Sequence, residues 1–134
     1  MIDASLVLAW CFPDENSAAA QNVAEGFQQG NDAIAPSFWP HEVLNALLAG
    51  EKRRRISTSQ AKSFLGDLAI LPIALVYRSS AAVFERVQSL SRAHNLTAYD
   101  AAYLDLAMET SLPLATLDAA LIRACRAENV SLLT

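Results

Sequence analysis

Apolar residues recur along this chain in two ways, at helical spacing and in short continuous runs, and the two kinds of segment alternate. Residues 1–3 read as the end of a first strand, 4–12 as an apolar helix-compatible stretch, and Pro13 breaks it before the polar turn Asp14, Glu15, Asn16. Val23 and Phe27 fall four apart in a helix over 17–29, stopped by Gly30 and Asn31. Residues 33–35 form a short strand closed by Pro36. A helix from about Ser37 carries Trp39, Val43, Leu47 and Leu48 on one stripe, with Glu42 and Asn45 three apart on another face. Ser57 and Gln60 match a capping box opening a helix to about Leu68, so these two helices form a hairpin with the run Lys52, Arg53, Arg54, Arg55 at its tip.

The second half repeats the alternation. Residues 70–77 are aliphatic and strand-like, with Pro72 tolerable near a strand start. Ser79 or Ser80 then caps a helix bearing Val83, Val87 and Leu90, ending near Asn95. Thr97 caps a helix through Met108, 114–117 is a short strand, Asp118 opens a helix to about Glu128, and 130–133 is a last strand. Such alternation predicts one α/β domain over residues 1–134, with a mostly parallel central sheet of four to five short strands, helices on both faces and the helical hairpin as an insertion. The first strand is unusually short, so the expectation is that a few residues are missing ahead of Met1.

Composition changes this picture in two places. The chain is 53% hydrophobic and 18% charged, which leaves more apolar side chains than a core of 134 residues easily hides and predicts a covering partner. Cys11 and Cys125 lack metal or redox spacing and are expected as reduced, buried thiols. No charged leader precedes an apolar segment of spanning length, so a soluble, cytoplasmic protein without membrane contact is expected. The net charge of −4 excludes a generally basic nucleic-acid coat, which leaves the run at 52–55 as the local basic patch. That run suits either a solvated helix end or contact with phosphates.

Against this background four carboxylates stand out: Asp3, Glu42, Asp100 and Asp118 each lie at a strand edge or in the first turns of a helix. Each has an ordinary role available, because acids are favoured at helix starts and as N-caps. Asp3 needs that excuse least, since Ser5 is also able to cap, and Asp100 sits among Tyr99, Ala101, Ala102 and Tyr103, where an unpaired charge is costly. In a parallel α/β fold such positions share the side of the sheet where crevices form. Carboxylates ~4 Å apart repel by ~1 kcal/mol in water and ~4 kcal/mol at an effective dielectric of 20, so a converged set calls for protons or a hard cation such as magnesium or manganese. Asp14, Glu15, Glu25, Asp32, Asp67 and Asp105 are read as surface charges, and His41 and His94 as surface or helix-end residues. No GxSxG, GxxxxGK[ST] or GxGxxG occurs.

The stretches I2-D3-A4-S5, P40-x-E42-V43-L44-N45-A46-L47, T97-A98-Y99-D100-A101-A102-Y103-L104-D105-L106-A107 and L114-A115-T116-L117-D118 together resemble PIN domains, above all the VapC-type toxins of bacterial toxin–antitoxin pairs. The resemblance spans essentially the whole chain, and departs at the front, where family members usually carry several residues before the first aspartate. It implies a magnesium- or manganese-dependent endoribonuclease acting on RNA, transfer RNA being the commonest target. By motif it makes Asp3, Glu42, Asp100 and Asp118 the metal-holding quartet, with Ser5 and Thr116 as supporting oxygens. Arg53, Arg54 and Arg55 are candidates for the RNA backbone. It further implies a homodimer and a cognate antitoxin that covers the active-site groove and supplies the only link to DNA. The rival expectation is a catalytically silent RNA- or protein-binding module on the same scaffold. A phosphoacceptor domain fits poorly, for want of adjacent acids on the first strand and a lysine after the last.

Overall fold

In a computed structural model that describes residues 1–15 and 17–133, the chain is α/β, mostly helical around a small parallel sheet. Strand β1 (Ala33–Pro36) pairs in parallel with β2 (Ile73–Val76), Ala33 opposite Ile73 and Pro36 opposite Val76. These are the only two strands among the described residues, against the four to five expected. The other three segments add single parallel contacts: Ile2 bridges to Ala115, and Leu114 to Leu132. Ile2 N–H also donates to the Ile34 carbonyl at 3.0 Å, which places residues 1–3 between β1 and 114–115. Their apolar runs are too short for a ladder, since helix α1 begins at Ala4, directly after Asp3.

The helices follow from their caps and apolar stripes. Helix α1 (Ala4–Cys11) buries Ala4, Leu6, Val7 and Ala9, and the Pro13–Glu15 3-10 turn follows it, the expected turn residue Asn16 lying outside the described residues, as does Thr134. Ser17 caps α2 (Ala18–Gln28) by accepting from Ala20 N–H. Helix α3 (Trp39–Lys52) buries Trp39, Val43, Leu47 and Gly50. Gly50 is there because a Cβ would sit 2.8 Å from the Phe12 ring. The Ser57/Gln60 capping box is present at the start of α4 (Thr58–Ala69), which packs on α3 as the hairpin expected.

Ser79 caps α5 (Ser80–Ala82), which runs through a π-helical segment, Val83–Val87, into α6 (Gln88–His94). Asn95, at φ 52°, ends that run. Helix α7 (Ala98–Thr110), capped by Thr97, is buried without interruption from Ala101 to Ala107 and so lies at the centre of the core. Asp118 caps α8 (Ala119–Ala127). Both cysteines are free thiols, Cys125 buried and Cys11, against expectation, only half-buried. Among the described residues no helix is long and apolar enough to cross a membrane.

Candidate active site

Asp3 stands at the N-cap of α1 yet makes no side-chain capping bond, and it is buried. Its Oδ2 instead accepts from the Ser5 hydroxyl at 2.5 Å and the Thr116 hydroxyl at 2.7 Å. Each hydroxyl is in turn fixed from the 116–118 turn: Leu117 N–H donates to Ser5 Oγ and Asp118 N–H to Thr116 Oγ1, both at 3.0 Å. Burial pushes the Asp3 carboxyl above its ordinary range, with the two hydroxyls pulling the other way.

Glu42, in the first turn of α3, is half-buried and accepts a short hydrogen bond from the Tyr103 hydroxyl of α7. Its carboxyl is also pushed up, first by burial and then by the charges of Asp3 and Asp100. Tyr103 is fully buried, and burial together with Asp3 and Glu42 holds its phenol well above the usual range, so it stays protonated and donates. Asp100, in the first turn of α7, accepts from Thr97 Oγ1 at 2.7 Å while its own N–H donates back to that oxygen.

Asp3, Glu42 and Asp100 therefore share one electrostatic neighbourhood. Asp118 joins it through the backbone, by way of Thr116, while its Oδ1 accepts from Leu121 N–H at 2.7 Å as the cap of α8. The donors are hard oxygens and the uncompensated charge is negative, which fits a hard divalent cation. The ligand set is not closed, however: among the described residues no three His, Cys, Asp or Glu side chains are placed to hold a metal ion. Each carboxylate is turned to a protein donor instead, as the hydrogen bonds above describe.

The basic tip is separate. Arg55 binds Asp14 at 2.9 Å and Glu15 at 2.8 Å and stacks its guanidinium 4.3 Å from the Phe12 ring centre, so it ties the hairpin tip to the Pro13–Glu15 turn. Arg53 and Arg54 are exposed, and Arg54 lines an open depression of about 600 Å³ at the tip. Among the described residues no hydrogen bond or ion pair joins this tip to the four carboxylates.

Two features escaped the sequence reading. Tyr103 was noticed only as a neighbour of Asp100, although its spacing of three from Asp100 puts both on one helix face. Asp105 is not a surface charge: it is 1% exposed and paired with Arg78 and Arg86, both of which also contact Glu109. The signal was the uninterrupted apolar sequence on every side of it.

Comparison with known proteins identifies the family. Residues 1–127 match the family described as PIN domain. Ribonuclease VapC3 of Pyrobaculum aerophilum is 31% identical over 118 residues, covering 88% of each chain. The crystal structure of PAE2754 from the same organism superimposes with a TM-score of 0.60 over 92% of this chain and 82% of that one, a likeness of fold at 20% identity. With its whole helical core and all four acidic positions inside the matched region, the chain belongs to the PIN-domain family and sits with its VapC-type members.

Proposed function

We propose that this chain is the toxin of a toxin–antitoxin pair, an endoribonuclease that hydrolyses RNA phosphodiester bonds with magnesium or manganese. The observation that carries the reading is the Asp3–Glu42–Asp100 neighbourhood, in which burial pushes the Asp3 carboxyl up and burial with the charges of Asp3 and Asp100 pushes up that of Glu42, in a chain 31% identical to a ribonuclease. Asp3, Glu42, Asp100 and Asp118 are the residues proposed to hold the cation. When bound, the cation supplies charge neutralisation, activation of water and stabilisation of the departing oxygen.

The chain's own residues set up that chemistry. Ser5 and Thr116 fix Oδ2 of Asp3. Tyr103, kept protonated, fixes Oε2 of Glu42. Asp118 keeps one oxygen on the helix end, and Asp100 is aimed by Thr97. Exposed apolar side chains, Ile70 at 82%, Tyr77 at 77% and Phe84 at 72%, support a covering partner, which we assign to a second copy and a cognate antitoxin, with DNA reached only through the latter. A cytoplasmic site of action and a structured RNA target such as transfer RNA complete the proposal.

One observation favours the rival, a catalytically silent binding module: among the described residues each carboxylate is turned to a protein donor and no three are placed to hold a metal ion. Incubating purified protein with total RNA separates the two. Cleavage with magnesium, lost with chelator and in Asp100→Asn from the same preparation, is expected. Metal binding without turnover would select the binding module.

A further inference from the structure

Tyr99 immediately precedes Asp100 in the first turn of α7 and is 58% exposed. Its ring is not loose. It meets Phe38 edge to face, with centroids 5.1 Å apart at 73°, and Phe38 meets Tyr103 in the same manner at 5.7 Å and 88°. An aromatic series therefore runs from the buried phenol that holds Glu42, through Phe38 at the start of α3, out to a surface ring beside Asp100. Aromatic pairs of this kind fix ring orientation as well as position.

We propose that Tyr99 is a base-stacking platform that seats one unpaired nucleobase of the RNA beside the carboxylates. The inference rests on the nuclease reading above for its substrate class. Two observations and one general principle favour a base over an apolar protein segment. The residues next to the ring along the chain are polar or small, with Thr97 and Ala98 exposed and Asp100 adjacent. The chain carries a net charge of −4 and the site is acidic, so phosphate attraction there is weak and a charge-independent contact suits an RNA strand. A preorganised π-face adjoining a nuclease site is what single-stranded RNA recognition uses.

The test measures binding of a short single-stranded RNA by the Asp100→Asn protein in magnesium, with gel analysis to verify that the RNA stays intact. A single abasic site is moved along the oligonucleotide. Tyr99→Ala is expected to weaken binding roughly 5- to 150-fold, the ~1–3 kcal/mol of one base–aromatic stack converted at ~1.4 kcal/mol per decade. Tyr99→Phe and Tyr99→Trp should stay within about threefold of the parent, since both keep a π-face. One abasic position should weaken the parent by a similar factor and leave Tyr99→Ala unchanged. Equal binding by the parent and Tyr99→Ala overturns the proposal, as does an absence of RNA binding or a Tyr99→Ala effect confined to capture of a protein partner. Cleavage by the Asp100-containing protein is scored separately. Tyr99-dependent binding without cleavage refutes only the nuclease reading, and cleavage with Tyr99-independent binding refutes only the stacking platform.

Discussion

Replacing Asp105 by alanine tests how the candidate site is held in place. Its carboxylate is 1% exposed and lies 2.7 Å from Arg86 Nη2, with Arg78 on its other oxygen, and Glu109 one turn later contacts the same two guanidinium groups. Arg78 follows β2 and Arg86 belongs to the π-helical segment, so the network fastens both to α7, the helix that carries Asp100 and Tyr103. Deleting one partner of a buried ion pair costs ~3–5 kcal/mol. Here the Arg86 side chain is 46% exposed and regains water, whereas Arg78, at 13%, does not and keeps only Glu109. The loss should therefore fall at the low end, about 3 kcal/mol. For a chain of this length that lowers the melting temperature by roughly 10 °C.

Urea melts at neutral pH without divalent ions measure it, with Asp100→Asn as the comparison in the same helix. Asp100 is half-buried and held by Thr97, and its neutralisation removes a repulsion felt by Glu42, so its midpoint should not fall. Combining Asp105→Leu with Arg78→Met should recover much of the loss, because an apolar pair of similar volume replaces a buried ion pair without stranding a charge. A midpoint for Asp105→Ala within ~0.5 kcal/mol of the wild type, the range of an ordinary surface substitution, refutes the reasoning.

Asp3→Asn should stabilise the metal-free protein at pH 7. A carboxyl raised on folding makes the folded state the tighter proton binder, so its contribution to stability falls as pH climbs from the ordinary aspartate range of ~3.9 through the raised value. The wild-type minus variant difference in urea melts should become more unfavourable across that window, and a flat difference sinks the argument. Magnesium at ~100 times its dissociation constant should raise wild-type stability by about 2.7 kcal/mol and leave Asp3→Asn nearly unmoved, read by calorimetry; equal shifts in both proteins would place the cation elsewhere. Tyr103→Phe removes the hydroxyl that donates to Glu42, and a tenfold loss of kcat, about 1.4 kcal/mol, with KM for RNA unchanged is expected in the cleavage assay.

The helix starts were legible because short polar side chains advertise them: Ser17, Ser57 with Gln60, Thr97 and Asp118 all cap the helices read from sequence. Strand number was over-read. Continuous apolar runs at 1–3, 114–117 and 130–133 satisfy a strand pattern, but a pattern does not reveal that α1 starts at Ala4 or that Thr116 Oγ1 accepts from Asp118 N–H. The π-helical segment was invisible for a similar reason, since Val83 and Val87 are spaced as an ordinary helix spaces them. Arg55 illustrates the limit of composition: four adjacent basic residues look alike, and only tertiary contact separates the one that Asp14 and Glu15 engage from its neighbours.

The same helix starts that made the acids look innocent also offset part of their charge. Glu42 and Asp100 stand in the first turns of α3 and α7 and Asp118 at the N-cap of α8, where the helix termini offer partial positive charge. Asp3 is the exception. It sits at a helix start yet takes its hydrogen bonds from Ser5 and Thr116 rather than from a capping N–H, and it is the most buried of the four. Neutral hydroxyls solvate a carboxylate less well than water does, which is why burial still dominates there. Burial pushes up the carboxyls of both Asp3 and Glu42, and the charge of Asp3 adds to the rise at Glu42. Under the proposed function, an acid kept at position 3 despite its burial is a trade between stability and activity.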